Sequence, residues 1–253
     1  MQQKTPDMRA ITISRQYGSG GGEVAAHLAQ RLGWQLIDHE IVAQVAHSLG
    51  ITEEEADVHD ERVEGFIVRA LSALQAAALV VPASVAPLEQ AEAVYNEALR
   101  KVVETSANTG RVVIVGRTGQ ALLAGRRDVL HVRIVAPLQQ RIIYVSQREG
   151  LDEAEARSRI QIKDRDRARY LQASFGRNVD DPMLYDLIIN TAVLDLDSAV
   201  DLISVALERK ARKMTVRTGE LGPATGLARY PGRPADLPPP ASMTGDETHK
   251  ENQ

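Results

Sequence analysis

The chain has 253 residues, of which 43% are hydrophobic and 25% charged, so it is long enough to bury at least one sizeable core. It contains no cysteine, which excludes disulfide bonds, thiolate metal sites and cysteine nucleophiles and leads us to expect a cytoplasmic location. The net charge of −4 argues against nucleic acid as a partner, because broad binding to its phosphates requires a basic excess over a whole face.

Short apolar runs alternate with longer helical patterns, which predicts an α/β fold with a parallel sheet covered by helices on both faces. In chain order the predicted elements are strand Ala10–Ser14, helix Glu23–Leu32, strand Trp34–Asp38, a helical stretch from Glu40 to about Ser106, strands Arg111–Val115, Val129–Val135 and Asp186–Asn190, and helix Leu196–Lys213. The first, third and fifth strands have apolar centres, as expected of strands buried on both faces.

An uncharged segment at Ala70–Leu88, ALSALQAAALVVPASVAPL, approaches the length of a membrane span. Pro82 and Pro87 would interrupt a spanning helix, and its many alanines are only weakly hydrophobic. We therefore expect no membrane association. The composition favours a helix buried within the protein or against a second subunit, as in a homodimer.

From Met214 onward the composition changes. This segment holds six of the eleven prolines and five glycines, and it has no periodic apolar pattern. Such a composition cannot bury enough apolar surface to offset the entropy of ordering. We predict one domain at residues 8–213 and a disordered tail at 214–253.

A glycine-rich turn follows the first strand, in the segment ISRQYGSGGGEVAAHLAQRLG at Ile13–Gly33. In this context Gly18, Gly20, Gly21 and Gly22 would let backbone N–H groups turn toward one centre, and the helix N-terminus would add its own N–H groups and positive dipole end. The turn is therefore a candidate phosphate site. The alternative is a tight turn that needs glycine only for close packing.

The turn departs from the phosphate-binding pattern G-x-x-x-x-G-K-[ST] at three positions. Arg15 stands at the first glycine, Gly21 replaces the lysine that neutralises phosphate charge, and Gly22 replaces the hydroxyl residue that ligates Mg²⁺. Arg15 is the candidate for the missing cation. Ser19 and Glu23 are the candidates for reaching the metal.

The loop together with LID ending at Asp38, VIVGR ending at Arg117, APLQQRI and DPMLYDLIINT resembles the cytidylate kinase-like family, in the nucleoside monophosphate kinase branch of P-loop proteins. The resemblance spans about Met8–Lys213. It implies a P-loop fold, for which we predict strand order 2-3-1-4-5, with a helical acceptor-binding insertion at 58–103 and a lid at 139–177. ATP and Mg²⁺ are the expected donor and metal, and CMP or dCMP the expected acceptor.

The family's loop typically reads S-R-[EQ]-Y-G-S-G-G-R-E, so the missing lysine is a family trait, whereas Gly22 in place of arginine is a departure of this chain. Residues Gly18, Ser19, Gly20, Gly21, Gly22 and Glu23 are expected to hold ATP. Two function classes stay open: a nucleoside monophosphate kinase, and a nucleotide-binding regulatory protein with little or no turnover.

The lid region is locally basic, with nine Lys or Arg against six Asp or Glu from Gln139 to Arg177. In its KDRDRARY stretch, Arg165 and Arg169 share a helix face at a spacing of four. Arginines that close from a lid stabilise the charge of a phosphoryl group in transfer. We predict that Arg15, Arg165 and Arg169 are catalytic. The alternative for the lid pair is a solvated, salt-bridged helix face.

Two residues follow strands at the edge where open α/β sheets bind ligands. By the resemblance Arg117 would grip the acceptor phosphate, and Asp38 would orient the acceptor. The alternatives are a surface arginine and a helix N-cap. Val115 and Thr118 stand where related cytidylate kinases carry the acids of a D-G-R-D motif. The histidines show no metal-ligand spacing, so the metal ligands are unassigned.

Overall fold

The computed structural model of the protein describes residues 8–38, 100–116 and 118–221, in which helices alternate with strands. The strands are β1 (Ala10–Arg15), β2 (Gln35–Ile37), β3 (Val112–Val115), β4 (Val129–Val135) and β5 (Leu187–Asn190). The helices are α1 (Gly21–Leu32), α2 (residues 100–109), α3 (Gly119–Leu122), α4 (Leu138–Glu149), α5 (Glu153–Phe175) and α6 (Leu196–Arg212).

The five described strands form one parallel sheet in the order β2-β3-β1-β4-β5. The predicted P-loop kinase-like sheet is therefore confirmed. The central strand β1 pairs Ala10–Ile13 with Val112–Val115 on one side and Ala10–Arg15 with Val129–Ile134 on the other. This register brings the carboxyl end of β1 beside those of β3 and β4, at the edge where open α/β sheets bind ligands.

Apolar layers on both faces of the sheet hold the helices in place. On one face Ile11 and Ile13 are buried in the layer that also includes apolar residues of α1 and α6. On the other face Ala10 and Ile114 belong to a layer that includes Val103 of α2. Because β1 is buried on both sides, its sequence reads as a continuous apolar run.

Polar side chains of β1 and β4 are also buried, and each has a partner. Oγ1 of Thr12 lies 2.7 Å from Nδ1 of His131 in a buried hydrogen bond. Arg133 donates from Nη1 to Oγ of Ser14 at 3.1 Å and from Nη2 to the Asp180 carboxylate at 2.7 Å. A guanidinium can be buried in this way because it is paired.

The observed strands and helices α1 and α6 lie close to the predicted elements, whereas α4 and α5, in the predicted lid region, had no predicted bounds. The bounds of β4 agree, and the other four strands differ from prediction by one residue at one or both ends. Helix α1 begins two residues earlier than expected, at Gly21, because its N-cap is Gly20. The short helix α3 was not predicted, since its four residues are too few to show a helical period.

Several predictions fall outside the described residues. These are most of the insertion at 58–103, the packing of Ala70–Leu88, the alternative role of Asp38 as the N-cap of a following helix, and Arg117. None of the helices in the described part of the chain is long and apolar enough to cross a membrane.

The chain divides into two units, and the first ends at Met214, whose side chain packs on the core beside α6. Of the second unit the structure describes residues 215–221. They include a 3₁₀ turn at Thr218–Glu220, where Arg217 donates from Nε to the Glu220 carboxylate at 2.6 Å. The disorder of residues 214–253 stays a prediction.

The burial of His131 predicts how the stability of the fold depends on pH. Burial lowers the pKa of His131 below its usual value; the charge of Asp186 opposes this shift and that of Lys210 adds to it. The unfolded chain therefore takes up a proton on His131 near pH ~6.5, whereas the folded chain takes it up only at lower pH. We expect the free energy of unfolding to decrease as the pH falls below that value.

The variant His131→Asn tests this, because asparagine can still hydrogen-bond Thr12 but does not titrate. Urea unfolding of both proteins from neutral to mildly acidic pH should show a weaker loss of stability in the variant. The other histidines are shared, so the difference between the two profiles reports His131. Parallel profiles would contradict the prediction.

Candidate active site

The glycine loop connects β1 to α1 and spans residues Gln16–Gly20. Gly18 and Gly20 have φ angles of +79° and +75°, a backbone conformation that favours glycine. A β-carbon built on Gly18 would lie 2.7 Å from Cγ2 of Val145, and one on Gly20 would lie 2.8 Å from Cδ2 of Leu196. Both glycines are thus required by shape, which accounts for part of the glycine run by packing.

Ser19 stabilises the loop through buried hydrogen bonds. Its hydroxyl donates to the carbonyls of Gln16 at 2.9 Å and Ile134 at 3.2 Å, and its own carbonyl accepts from the Thr191 hydroxyl at 2.8 Å. The residue is 3% exposed. Its hydroxyl is therefore engaged by backbone and serves the loop's conformation.

Glu23 in the first turn of α1 is bound to α4. Its carboxylate accepts from the Tyr144 hydroxyl at 2.6 Å and forms an ion pair with Arg148. Within the described ranges no group of three or more histidine or acidic side chains could enclose a metal ion. In this structure the Ser19 hydroxyl is engaged by backbone carbonyls and the Glu23 carboxylate by Tyr144 and Arg148, and a role of either residue toward Mg²⁺ stays a prediction.

Asp164 on α5 joins the glycine loop to the hairpin formed by α4 and α5. It accepts from the Tyr17 N–H at 2.7 Å and from Nη1 of Arg141 at 2.6 Å, and it lies 3.8 Å from Nη1 of Arg167. Arg141 also donates to the carbonyls of Tyr17 at 3.0 Å and Ala136 at 2.9 Å. The buried guanidinium and the carboxylate therefore hold the loop and the hairpin together.

Arg15 ends β1 and lies at the carboxyl edge of the sheet. Its Nη2 is 3.4 Å from Oδ1 of Asp38, the residue that follows β2. The structure thus brings together Arg15 and Asp38, two of the residues predicted from the sequence. Arg117, the third residue expected at this edge, lies outside the described residues.

Arg167 is the lid arginine that reaches the glycine loop. Its Nη1 donates to the carbonyl of Arg15 at 3.3 Å, and its guanidinium carbon lies 5.4 Å from the centre of the Tyr17 ring. Burial and, to a smaller extent, the positive charge of Arg15 lower the pKa of Arg167 to about 10, against the opposing effects of Asp164, Tyr17 and Asp38. The charge of Arg167 thus lies beside the loop, near enough to that of Arg15 for the two to repel.

Arg165 and Arg169 lie on a different face of α5 from Asp164 and Arg167. Arg165 is turned about 100° from Asp164 around the helix axis. Both arginines are exposed, and within the described part of the chain neither makes a hydrogen bond or ion pair. Their catalytic role stays a prediction.

Arg167, which the spacing argument ranked below Arg165 and Arg169, is the arginine that meets the loop. The signal that marks it is an apolar stripe, because Ile160 and Leu171 are buried on the same face as Asp164 and Arg167. The inward face of a charged helix is found from its few apolar residues, and the arginine on that face is the one that meets the loop.

A sequence model of the cytidylate kinase-like family matches residues 10–193. The chain belongs to the cytidylate kinase-like family. The match includes the loop, the five strands and the α4–α5 hairpin, so it covers each element of the candidate site that the structure describes.

Individual relatives are similar at low identity. A uronate isomerase of Corynebacterium glutamicum is 32% identical over 111 residues, 44% of this chain and 21% of that protein. A cytidylate kinase of Archaeoglobus fulgidus is 25% identical over 205 residues, 81% of this chain and 97% of that protein. A solved structure of a protein from Eubacterium ventriosum is 22% identical, with a TM-score of 0.57 over 79% of this chain and 98% of the other. This last likeness supports the fold.

The position of Asp164 predicts a large loss of stability when its carboxylate is removed. Asp164→Ala would leave Arg141, only 7% exposed, without its ionic partner. We expect the free energy of unfolding to fall by about 3 kcal/mol, because breaking a buried pair leaves an uncompensated charge.

Asp166→Ala is the matched control. It removes the same charge two residues away on the same helix, from an exposed side chain, and should change the stability by about 0.5 kcal/mol or less. Urea unfolding measures both. Equal losses in the two variants would show that Asp164 does not connect the loop to the hairpin.

Proposed function

We propose that the protein transfers the γ-phosphoryl group of ATP to a nucleoside monophosphate, with CMP or dCMP as the expected acceptor. Membership of the cytidylate kinase-like family supports a kinase reaction on a nucleotide. The alignment with the Archaeoglobus fulgidus cytidylate kinase over 97% of that protein supports the choice of acceptor. ATP would bring Mg²⁺ with it as the counter-ion of its phosphates.

The observation that carries the proposal is the pair of guanidinium groups beside the glycine loop. Arg15 and Arg167 repel each other there, and this repulsion is part of what lowers the pKa of Arg167. A polyphosphate between them would replace the repulsion with two charge-assisted interactions. The N-terminus of α1, which begins at Gly21 directly after the loop, adds unpaired N–H groups on the same side.

The proposed chemistry requires charge neutralisation more than proton transfer. An oxygen of the acceptor phosphate forms a bond to the γ-phosphorus, while the bond from that phosphorus to the β–γ bridging oxygen breaks. The products are ADP and a nucleoside diphosphate. The attacking oxygen is already anionic, so no base has to remove a proton, and the main barrier is the charge on the groups that meet.

The proposed roles follow from where each residue lies. Gly18, Gly20, Gly21 and Gly22 would hold the donor phosphates through backbone N–H groups. Ser19, whose N–H donates to the Gln16 carbonyl at 3.3 Å, would keep the loop in shape, and Glu23, bound to α4, would keep the first turn of α1 in place. Arg15 and Arg167 would neutralise the moving group. Arg165 and Arg169 are proposed to act only if the lid turns when nucleotide binds.

Asp38 and Arg117 are proposed to bind the acceptor. Asp38 is held beside Arg15, at the carboxyl end of β2, and its side chain is 36% exposed. That position is accessible from the edge where an acceptor would approach. A carboxylate there can accept hydrogen bonds from the sugar or the base.

The reaction is tested by incubating the purified protein with Mg-ATP and each nucleoside monophosphate in turn. We expect ADP and a nucleoside diphosphate to form fastest with CMP or dCMP. Binding of ATP without transfer to any acceptor would replace the kinase with a nucleotide-binding regulatory protein. Failure to bind ATP would mean that the glycine loop is a packing turn.

Variants of the lid arginines separate the residue that faces the loop from those that do not. Arg167→Met removes the charge but keeps much of the stem that covers Tyr17. We expect kcat to fall roughly 100-fold or more, as for other groups that stabilise transition-state charge. Steady-state kinetics with the preferred acceptor measures this, and Arg167→Lys should recover part of the loss.

The double variant Arg165→Ala/Arg169→Ala is the comparison. If the lid turns when nucleotide binds, the double variant also loses orders of magnitude in kcat. If the lid keeps its described orientation, only the Arg167 variant loses kcat. A normal kcat in Arg167→Met would contradict the role proposed for Arg167.

A further inference from the structure

The side chain of Arg15 fills the space in front of Gly21, the first residue of α1. A β-carbon built on Gly21 would lie 2.7 Å from Cβ and 3.1 Å from Cδ of Arg15. Real β-carbons essentially never approach another atom within 3.0 Å. Positions 15 and 21 can therefore not both carry a side chain unless the backbone moves.

The guanidinium of Arg15 continues from there toward the neighbouring strands. Its Nη1 lies so close to Gly116, just after β3, that a β-carbon on that glycine would be 2.8 Å away. Its Nη2 lies 3.4 Å from the carboxylate of Asp38 after β2. The charge thus lies between the start of α1 and the carboxyl ends of β3 and β2, where donor and acceptor phosphates would meet.

The usual phosphate loop has the opposite arrangement. In G-x-x-x-x-G-K-[ST], the first position has no side chain and the seventh carries the lysine. Here the first position is Arg15 and the seventh is Gly21. We propose that these two substitutions are one coupled exchange: Arg15 supplies the charge of the missing lysine, and Gly21 is required because only glycine leaves room for the Arg15 stem.

The inference rests on the proposed function, since it assigns a phosphate ligand to the loop. Its steric part is independent of any ligand. Gly22, the next residue, has nothing within 4 Å of where its β-carbon would be. Of the two glycines that begin α1, only Gly21 is therefore required by shape, and Gly22 offers a comparison one residue along the same helix turn.

A double-mutant cycle between positions 15 and 21 tests the exchange. The four proteins are the wild type, Gly21→Ala, Arg15→Gly and Arg15→Gly/Gly21→Ala. Two readouts are measured: the Tm, and the affinity for inorganic tripolyphosphate by calorimetry. We expect Gly21→Ala to lower the Tm by several degrees and to weaken tripolyphosphate binding roughly tenfold or more, because it displaces a charged group from the anion.

In the Arg15→Gly background the same methyl group should cost nothing further in either readout, because the stem it collides with is gone. Arg15→Gly/Gly21→Lys restores the usual loop and should regain the affinity that Arg15→Gly loses. Gly22→Ala should cost less in both readouts than Gly21→Ala. If Arg15→Gly does not fold, this comparison between the two alanine variants decides the steric part.

Equal effects of Gly21→Ala in the two backgrounds would overturn the inference, whatever the activity of the protein. If the wild type binds neither ATP nor tripolyphosphate, the proposed function is refuted, and so is the part of the exchange in which Arg15 supplies the charge of the missing lysine. The Tm values of the four proteins would still report whether the two positions are coupled. The two failures are therefore distinguishable.

Discussion

The carboxylate of Asp164 is the contact on which the rest of the candidate site depends. It binds the Tyr17 N–H and the Arg141 guanidinium, and Arg141 in turn binds the carbonyl of Tyr17. A buried charge is tolerated only when it is paired, so Arg141 must keep this partner. The glycine loop and α5 are therefore held in one arrangement, and the face of α5 that meets the loop is set by it.

Further contacts connect the loop and α1 to the same hairpin. The Tyr17 hydroxyl donates to Glu149 at 2.6 Å. Burial is the main cause that raises the pKa of Tyr17, and this hydrogen bond is the second. Glu149 also pairs with Arg159, and Glu23 on α1 pairs with Arg148. The exposed pairs contribute little individually. Any movement of the hairpin away from the loop must nevertheless break the Asp164 contacts.

The positive charge at the candidate site is concentrated on Arg15 and Arg167. The chain is acidic as a whole, yet Arg15 and Arg167 are close together in a place where water is partly excluded. Positive charges in such a setting attract a compact anion strongly but do not attract an extended polyanion over a face. This arrangement is the one expected for the small phosphorylated ligand of the proposed function.

The order and type of the main elements could be predicted from the sequence because they depend on local patterns. The apolar run of β3, the glycines before α1 and the amphipathic spacing of α6 are each visible within a few residues. The parallel order of the strands followed from the alternation of strands and helices together with the resemblance to P-loop kinases. Short α3 lacked a pattern long enough to be recognised.

The side chains of the candidate site were only partly predictable. Arg15 and the glycines stood out because they occupy known positions of a loop pattern. Spacing also selected Arg165 and Arg169, which share a face, but it did not say which face of α5 turns inward. That choice depends on Ile160 and Leu171 in the core and on the partners of Asp164, which are distant in the chain.

The sequence by itself therefore determined the sheet, the loop and the loss of the lysine, since each depends on a pattern of residues that are neighbours in the chain. Only the tertiary structure decided that Arg167 faces the loop and that Arg15 and Gly21 compete for one space. Side-chain direction across a fold depends on packing between segments far apart in the chain, and a one-dimensional pattern does not contain that information.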